Sequence, residues 1–186
     1  MPLACVFIPR FALAVEARRH PWLRDAPAIV HVQNRILEAS SGLREAHPEQ
    51  QLRHARALYP DAVFIPANLM LYRDVSATML RALQSVSPAV ELTEQGCAFL
   101  DAGGLDRLYA SPADLSRAII DAVRATTDLV PAVGIGEGKF VARVAAWGCA
   151  TGETKVVAPG AERAFLEEKS VALLPVSHEI IEHLRL

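Results

Sequence analysis

The glycine-rich run Gly134-Ile135-Gly136-Glu137-Gly138-Lys139-Phe140 is the first place in this sequence where residue types and spacing suggest chemistry. Glycines ahead of a lysine can cradle a phosphate, but a phosphate loop needs a glycine where Val133 stands and a Ser or Thr where Phe140 stands. The dinucleotide fingerprint fails too, because Lys139 takes the place of its third glycine. A strand-to-helix turn accounts for the glycines, although free N–H groups at the start of the helix could meet an anion. The six histidines make neither an HxxxH nor an HExxH pair, and no GxSxG elbow exists, so zinc and triad chemistry have no support. Ser40-Ser41-Gly42 reads as loop polarity. Two-metal phosphoryl transfer requires carboxylates converging on a pair of ions. The apolar run 3–8 ends without an acid, and the segment 97–101 offers a single carboxylate, Asp101, at its far end.

The elements that would position these residues can be read from periodicity. Residues 3–8 form a buried strand stopped by Pro9, and residues 10–24 turn helical. Strands are expected at 26–32, 35–39 and 62–65, a polar irregular segment at 40–51, and a helix at 52–58 stopped by Tyr59-Pro60. From 68 to 84, Leu69, Tyr72, Val75, Met79, Leu80 and Leu83 make an amphipathic helical stripe. Two strands, 90–93 and 97–101, flank a turn at Glu94-Gln95-Gly96. Ser111-Pro112 opens a helix running to about residue 127. Strand 130–135, helix 139–147, strand 154–157 and a short helix at 161–168 follow, then Leu173-Leu174-Pro175-Val176-Ser177 and a helix from near His178. The pattern predicts an α+β fold with helices packed on one face of a sheet. Residues 180–186 are still in helical register at the end, which suggests a fragment of a longer protein.

Composition narrows the class. With 186 residues, 52% hydrophobic and 22% charged, the chain can bury a core and is not disordered. A net charge of −2 argues against strong autonomous nucleic-acid binding by this piece. Cys5, Cys97 and Cys149 are too scattered for a metal pair or a disulfide framework, which points to a reducing cytoplasm. No apolar stretch approaches the roughly 20 residues of a membrane span, and no signal peptide opens the chain.

Over nearly its full length the sequence resembles the palm-and-fingers half of Y-family (UmuC/DinB-type) translesion DNA polymerases. Phe11-Ala12-Leu13-Ala14-Val15-Glu16 is similar to the family's F-x-A-x-V-E, followed by His20-Pro21-Trp22-Leu23-Arg24-Asp25-Ala26-Pro27. Ala55-Arg56-Ala57-Leu58-Tyr59-Pro60 and Tyr72-Arg73-Asp74-Val75-Ser76 resemble A-x-x-L-x-P and Y-x-x-x-S. Ala98-Phe99-Leu100-Asp101 matches the tail of D-E-A-F-L-D, and residues 133–143 resemble G-I-x-x-N-K-x-x-A-K. Leu173-Leu174-Pro175-Val176 is similar to the start of the thumb's helix-hairpin-helix. The resemblance implies a ferredoxin-like polymerase palm at 1–10 and 72–160, a small fingers subdomain at 11–71, and the start of a helical thumb at 161–186.

The departures from that family fall on its chemistry. Phe7 stands at the first metal-ligand position, Pro9 at the next acid, and Gly96 and Cys97 where an Asp-Glu pair is expected. The steric-gate aromatic falls at Ala12, and the fingers Tyr and Arg fall near Ala39 and Gly42. Lys139 and Arg143 keep positive charge where the family contacts phosphate, and Ala150-Thr151 replaces its Lys-Pro. Phe7, Gly96 and Cys97 offer no hard oxygen ligand for Mg²⁺. The resemblance to the ImuB-like branch therefore implies a chain that is not an enzyme, with no catalytic residue, metal or cofactor. Such a protein would act as an adaptor in DNA repair and error-prone translesion synthesis during the response to DNA damage. Its implied partners are damaged or primed DNA, a sliding clamp, an error-prone C-family polymerase and a RecA-like accessory protein, in the bacterial cytoplasm at the nucleoid. Two readings stand beside this one: an active nucleotidyltransferase using relocated carboxylates such as Glu16, Glu94 and Asp101, and a pure protein-interaction module. Arg10, Arg18 and Arg19 are expected to be surface charges.

Overall fold

The first strand, β1 (Pro2–Phe7), runs through the middle of a five-stranded sheet in the computed structural model, which describes residues 1–174. It pairs antiparallel with β6 (Cys97–Asp101) on one side and with β7 (Ala132–Glu137) on the other. The edges are β5 (Val90–Glu94), hairpin partner of β6, and β8 (Thr154–Val156), parallel to β7. Strand side chains alternate between faces, so this central strand must be apolar on both, as Leu3-Ala4-Cys5-Val6-Phe7 is.

Ala4 and Val6 point into the main core, with Ala98, Leu100, Val133 and Ile135 of the neighbouring strands. That face is covered by α3 (Leu69–Gln84) and α4 (Pro112–Thr127), which contribute Tyr72, Met79, Leu83, Ile119 and Val123. Burying one such large side chain contributes about 1.5–3 kcal/mol. Both helices start on side-chain caps. The Asn68 side chain accepts the Leu71 N–H at 3.1 Å, and the Ser111 hydroxyl accepts the Asp114 N–H at 3.2 Å with Pro112 in the first turn.

Leu3, Cys5 and Phe7 point the other way, with Cys97 and Phe99, against Ala142 and Ala146 of α5 (Lys139–Trp147). The helices therefore lie on both faces, not on one as periodicity suggested. Gly134 permits the second layer. A Cβ built there would sit 2.1 Å from the Ala142 carbonyl oxygen and 2.3 Å from the Ala146 nitrogen, so only glycine lets α5 approach β7 this closely.

A second sheet of three strands, ordered β3-β2-β4, carries its own core. In it β2 (Ala28–Val32) is antiparallel to β3 (Arg35–Ala39) and parallel to β4 (Val63–Pro66). Ile29, Ile36, Leu52 and Ala55 pack together there, the last two from α2 (Leu52–Leu58). The expected helix over 10–24 is broken in two. The first part, α1 (Phe11–Arg19), ends at His20, and Pro21, which has no N–H to donate, opens a separate 3₁₀ turn, Pro21–Arg24. Phe11, Ala12 and Val15 of α1 join the main core. After β8 comes α6 (Glu162–Glu167) and a 3₁₀ turn at Val171–Leu173. The expected helix near His178 and the segment 175–186 lie outside the described residues. Among those described, no helix is long and apolar enough to cross a membrane.

Candidate functional site

The chain leaves β1 at Phe7 and enters α1 through Pro9 and Arg10, and an open cleft of about 620 Å³ lies beside this exit. Phe7, Pro9 and Arg10 form one wall, and Trp147, Ala150 and Thr151 from the end of α5 and the following loop form another. Phe7 and Trp147 meet edge to face, with ring centroids 6.2 Å apart.

Beneath the cleft the residues singled out at the metal-ligand positions come together. Phe7 is opposite Cys97 in the β1–β6 register, and the Cys97 sulfur lies 3.9 Å from that of Cys5, both fully buried. The contact with Cys97, together with burial, pushes the Cys5 thiol well above the ordinary thiol range. Gly96 sits in the hairpin turn at φ +74°, its carbonyl accepting the Ile8 N–H at 2.8 Å. A Cβ at Gly96 would lie 2.5 Å from the Phe11 ring, so a carboxylate-bearing residue does not fit there without displacing Phe11. Ala12, which the family resemblance sets at the steric gate, is 2% exposed.

These residues do not fit a pair of Mg²⁺ ions, since thiols and phenyl rings supply no hard oxygen donors. The proposed replacement acids do not repair this, because they do not converge. Asp101 pairs with Leu3 at the opposite end of β1, about 13 Å along the strand from Cys97. Glu94 lies on the exposed edge strand, and Glu16 is buried in the core, accepting the Tyr72 hydroxyl at 2.7 Å. Among the described residues no group of three or more His, Cys, Asp or Glu side chains could hold a metal ion.

Lys139 and Arg143 lie one turn apart on α5, on the side facing β5 and Phe99. The Lys139 ammonium is 2.5 Å from Glu91 and 5.6 Å from the Phe99 ring centroid. The Arg143 guanidinium stacks over Phe99 at 5.2 Å and Trp147 at 5.7 Å and reaches Glu94 at 3.9 Å, while its Nε is buried without a partner. Two acids of β5 thus answer the two cations, and this edge carries no net charge. Trp147 is the functional candidate that sequence reading missed. Its signal was available, because Lys139, Arg143 and Trp147 recur every four residues along one face of α5. Of the arginines expected to be plain surface charge, Arg19 lies 3.5 Å from Glu16 and Arg18 lines a small polar cavity with Asp74 and Thr78. Arg10 differs from both, since it borders the cleft itself.

Comparison with known proteins gives this geometry a context. The family described as impB/mucB/samB matches residues 6–147. DNA polymerase IV 2 of Mesorhizobium japonicum is 30% identical over 170 residues, covering 88% of this chain and 40% of that protein. DNA polymerase IV of Streptomyces coelicolor is 32% identical over 142 residues, covering 75% of this chain and 30% of that protein. Among solved structures, DinB from Sulfolobus solfataricus superposes with a TM-score of 0.88 at 18% identity, over 100% of this chain and 57% of the other. An insertion ternary complex of Dbh DNA polymerase gives 0.86 at 18% identity, over 100% and 57%. The chain spans half or less of the length of these curated relatives, and the likeness to the solved structures is one of fold. These relatives overturn one expectation outright. The chain was expected not to be an enzyme, yet the proteins it matches are named as polymerases.

Proposed function

Because the chain belongs to the impB/mucB/samB family of Y-family DNA polymerases, we propose that it serves a DNA-damage-related polymerase function as the palm and fingers of a larger protein. In this reading residues 1–10 and 72–160 are the palm, 11–71 the fingers, and 161–186 the beginning of the thumb. The observation that carries it is the family match across residues 6–147, which takes in the whole three-stranded sheet and β5, β6 and β7 of the larger one. The ligand is damaged or primed DNA. Lys139 and Arg143 are the proposed phosphate contacts, released from Glu91 and Glu94 when a more highly charged anion arrives.

The finer reading is an adaptor role, in which the chain gathers a sliding clamp, an error-prone C-family polymerase and a RecA-like accessory protein at a lesion. It is supported by the donor set under the cleft. Cys5 and Cys97 are packed as core, and Phe7 packs partly buried against them at the cleft wall, so the residues here are suited to holding shape.

Fluorescence anisotropy of the full-length protein with primer–template DNA, across a salt series, tests the DNA reading. Binding that weakens steeply with salt is expected, and no binding above that of an unrelated protein of the same charge overturns it. The adaptor reading is tested by lesion bypass with the C-family polymerase and clamp. Adding the full-length protein is expected to raise extension past the lesion, and an unchanged yield overturns the role.

A further inference from the structure

Arg10 is in the left-handed backbone region, at φ 48° and ψ 57°, where a residue with a side chain is held only at an energetic cost. No glycine supplies this turn, although it feeds directly into α1. The residue therefore offers something that glycine could not. Arg10 lines the cleft at the end of β1 and also a second cavity of about 230 Å³, walled by α1, the 3₁₀ turn 21–24 and the loop after β3.

Three other polar residues line this second cavity: Arg24, Ser40 and Ser41. Neither the Arg10 nor the Arg24 guanidinium has a hydrogen-bond or ion-pair partner among the described residues, and both are exposed. The Ser40 hydroxyl oxygen accepts the Ala28 N–H at 3.0 Å, which leaves its proton free to donate, and Ser41 is exposed. Apolar side chains, Leu13 and Leu23 among them, make up the rest of the wall, and no carboxylate lines it. Glu38, the acid whose charge Arg10 feels, is directed elsewhere, with its carboxylate accepting the Leu13 N–H at 3.1 Å.

We propose that Arg10 and Arg24, with the hydroxyls of Ser40 and Ser41, form a phosphate-binding site, filled by a backbone phosphate when the chain engages primer–template DNA. Two planar guanidinium forks and two hydroxyl donors match the oxygens of a phosphate group. Arg10, held in this left-handed backbone conformation, lines both cavities. The source of the phosphate rests on the DNA reading above, whereas the chemistry of the site does not.

The test uses the full-length protein and two probes, primer–template DNA in a salt series and inorganic tripolyphosphate followed by thermal shift. The double variant Arg10→Ala/Arg24→Ala is expected to weaken DNA binding roughly tenfold. It should also reduce the slope of log affinity against log salt by about one to two. Arg10→Lys/Arg24→Lys keeps the slope. Arg10→Gly separates binding from structure, because it relieves the backbone. It should raise the melting temperature while still weakening binding, and a variant that melts higher with undiminished binding of both probes overturns the proposal. If only the tripolyphosphate shift is lost in the double variant, the site stands with a free polyphosphate as its source. If the wild-type protein binds no DNA, the DNA reading fails and tripolyphosphate alone decides. Unchanged responses to both probes in the double variant overturn the site.

Discussion

The two faces of the five-stranded sheet are built from the same strands, one residue out of step, and they are covered very differently. One face lies under two 16-residue helices, α3 and α4, and holds the fully buried Tyr72, Met79, Leu83, Leu100 and Ile119. The other lies under the nine-residue α5, and at its open end Phe7 and Trp147 border the cleft. A doubly covered face fixes the fold whatever its ligand. A thinly covered face can expose an aromatic and a cation without unfolding the rest, which is what a binding surface requires.

The largest effect should come where the thin layer is locked on. Gly134→Val places a side chain inside the backbone of α5, and a loss of about 4 kcal/mol or more is expected, read by urea denaturation or as failure to fold. On the thick side, Ile119→Ala leaves a cavity and should cost about 3 kcal/mol in the same assay. Trp147→Ala removes an edge-to-face pair and a stacked guanidinium but stays at the surface, so about 1–2 kcal/mol is expected. Were Trp147→Ala to cost as much as Ile119→Ala, the contrast between the faces would be wrong.

The smallest effect concerns how α1 is held against β3, where the Glu38 carboxylate accepts the Leu13 N–H. Burial raises the Glu38 carboxyl above its ordinary range, against the pull of the Leu13 and Ala12 amides. A carboxyl with a raised folded value favours the folded state most when protonated, and that contribution is lost as pH rises through the folded value. Glu38→Gln should therefore match the wild type below about pH 4 and become the more stable of the two toward neutrality. Denaturation midpoints at a series of pH values check this, and a gap that widens as pH falls would contradict it.

The thick side was legible in the sequence, because the stripe Leu69, Tyr72, Val75, Met79 and Leu83 and the Ser111-Pro112 start have strong local signals. Strand 97–101 and its turn at Gly96 were readable for the same reason. The second helical layer was not, since Gly134, one of three glycines in the run 134–138, reads as part of a strand-to-helix turn until α5 is seen against it. At the site, the apolar character of Phe7 and Cys97 was plain from residue type, but the separation of Glu16, Glu94 and Asp101 depends on register, which no local pattern fixes. Arg10 carried no signal at all, because a left-handed arginine looks like any other arginine in one dimension.

The position of β1 has a further consequence for how the chain is made. The strand is translated before either neighbour, since it pairs through Leu3 with Asp101 and through Pro2 with Glu137, so both follow it by some ninety residues or more. At roughly 5–20 residues per second the nascent chain carries a bare apolar strand for about 5–20 seconds before β6 follows it. Through that interval the pairing edges of residues 3–8 are unmet, and slowed elongation between residues 100 and 140 should show itself as aggregation before it shows as lost function.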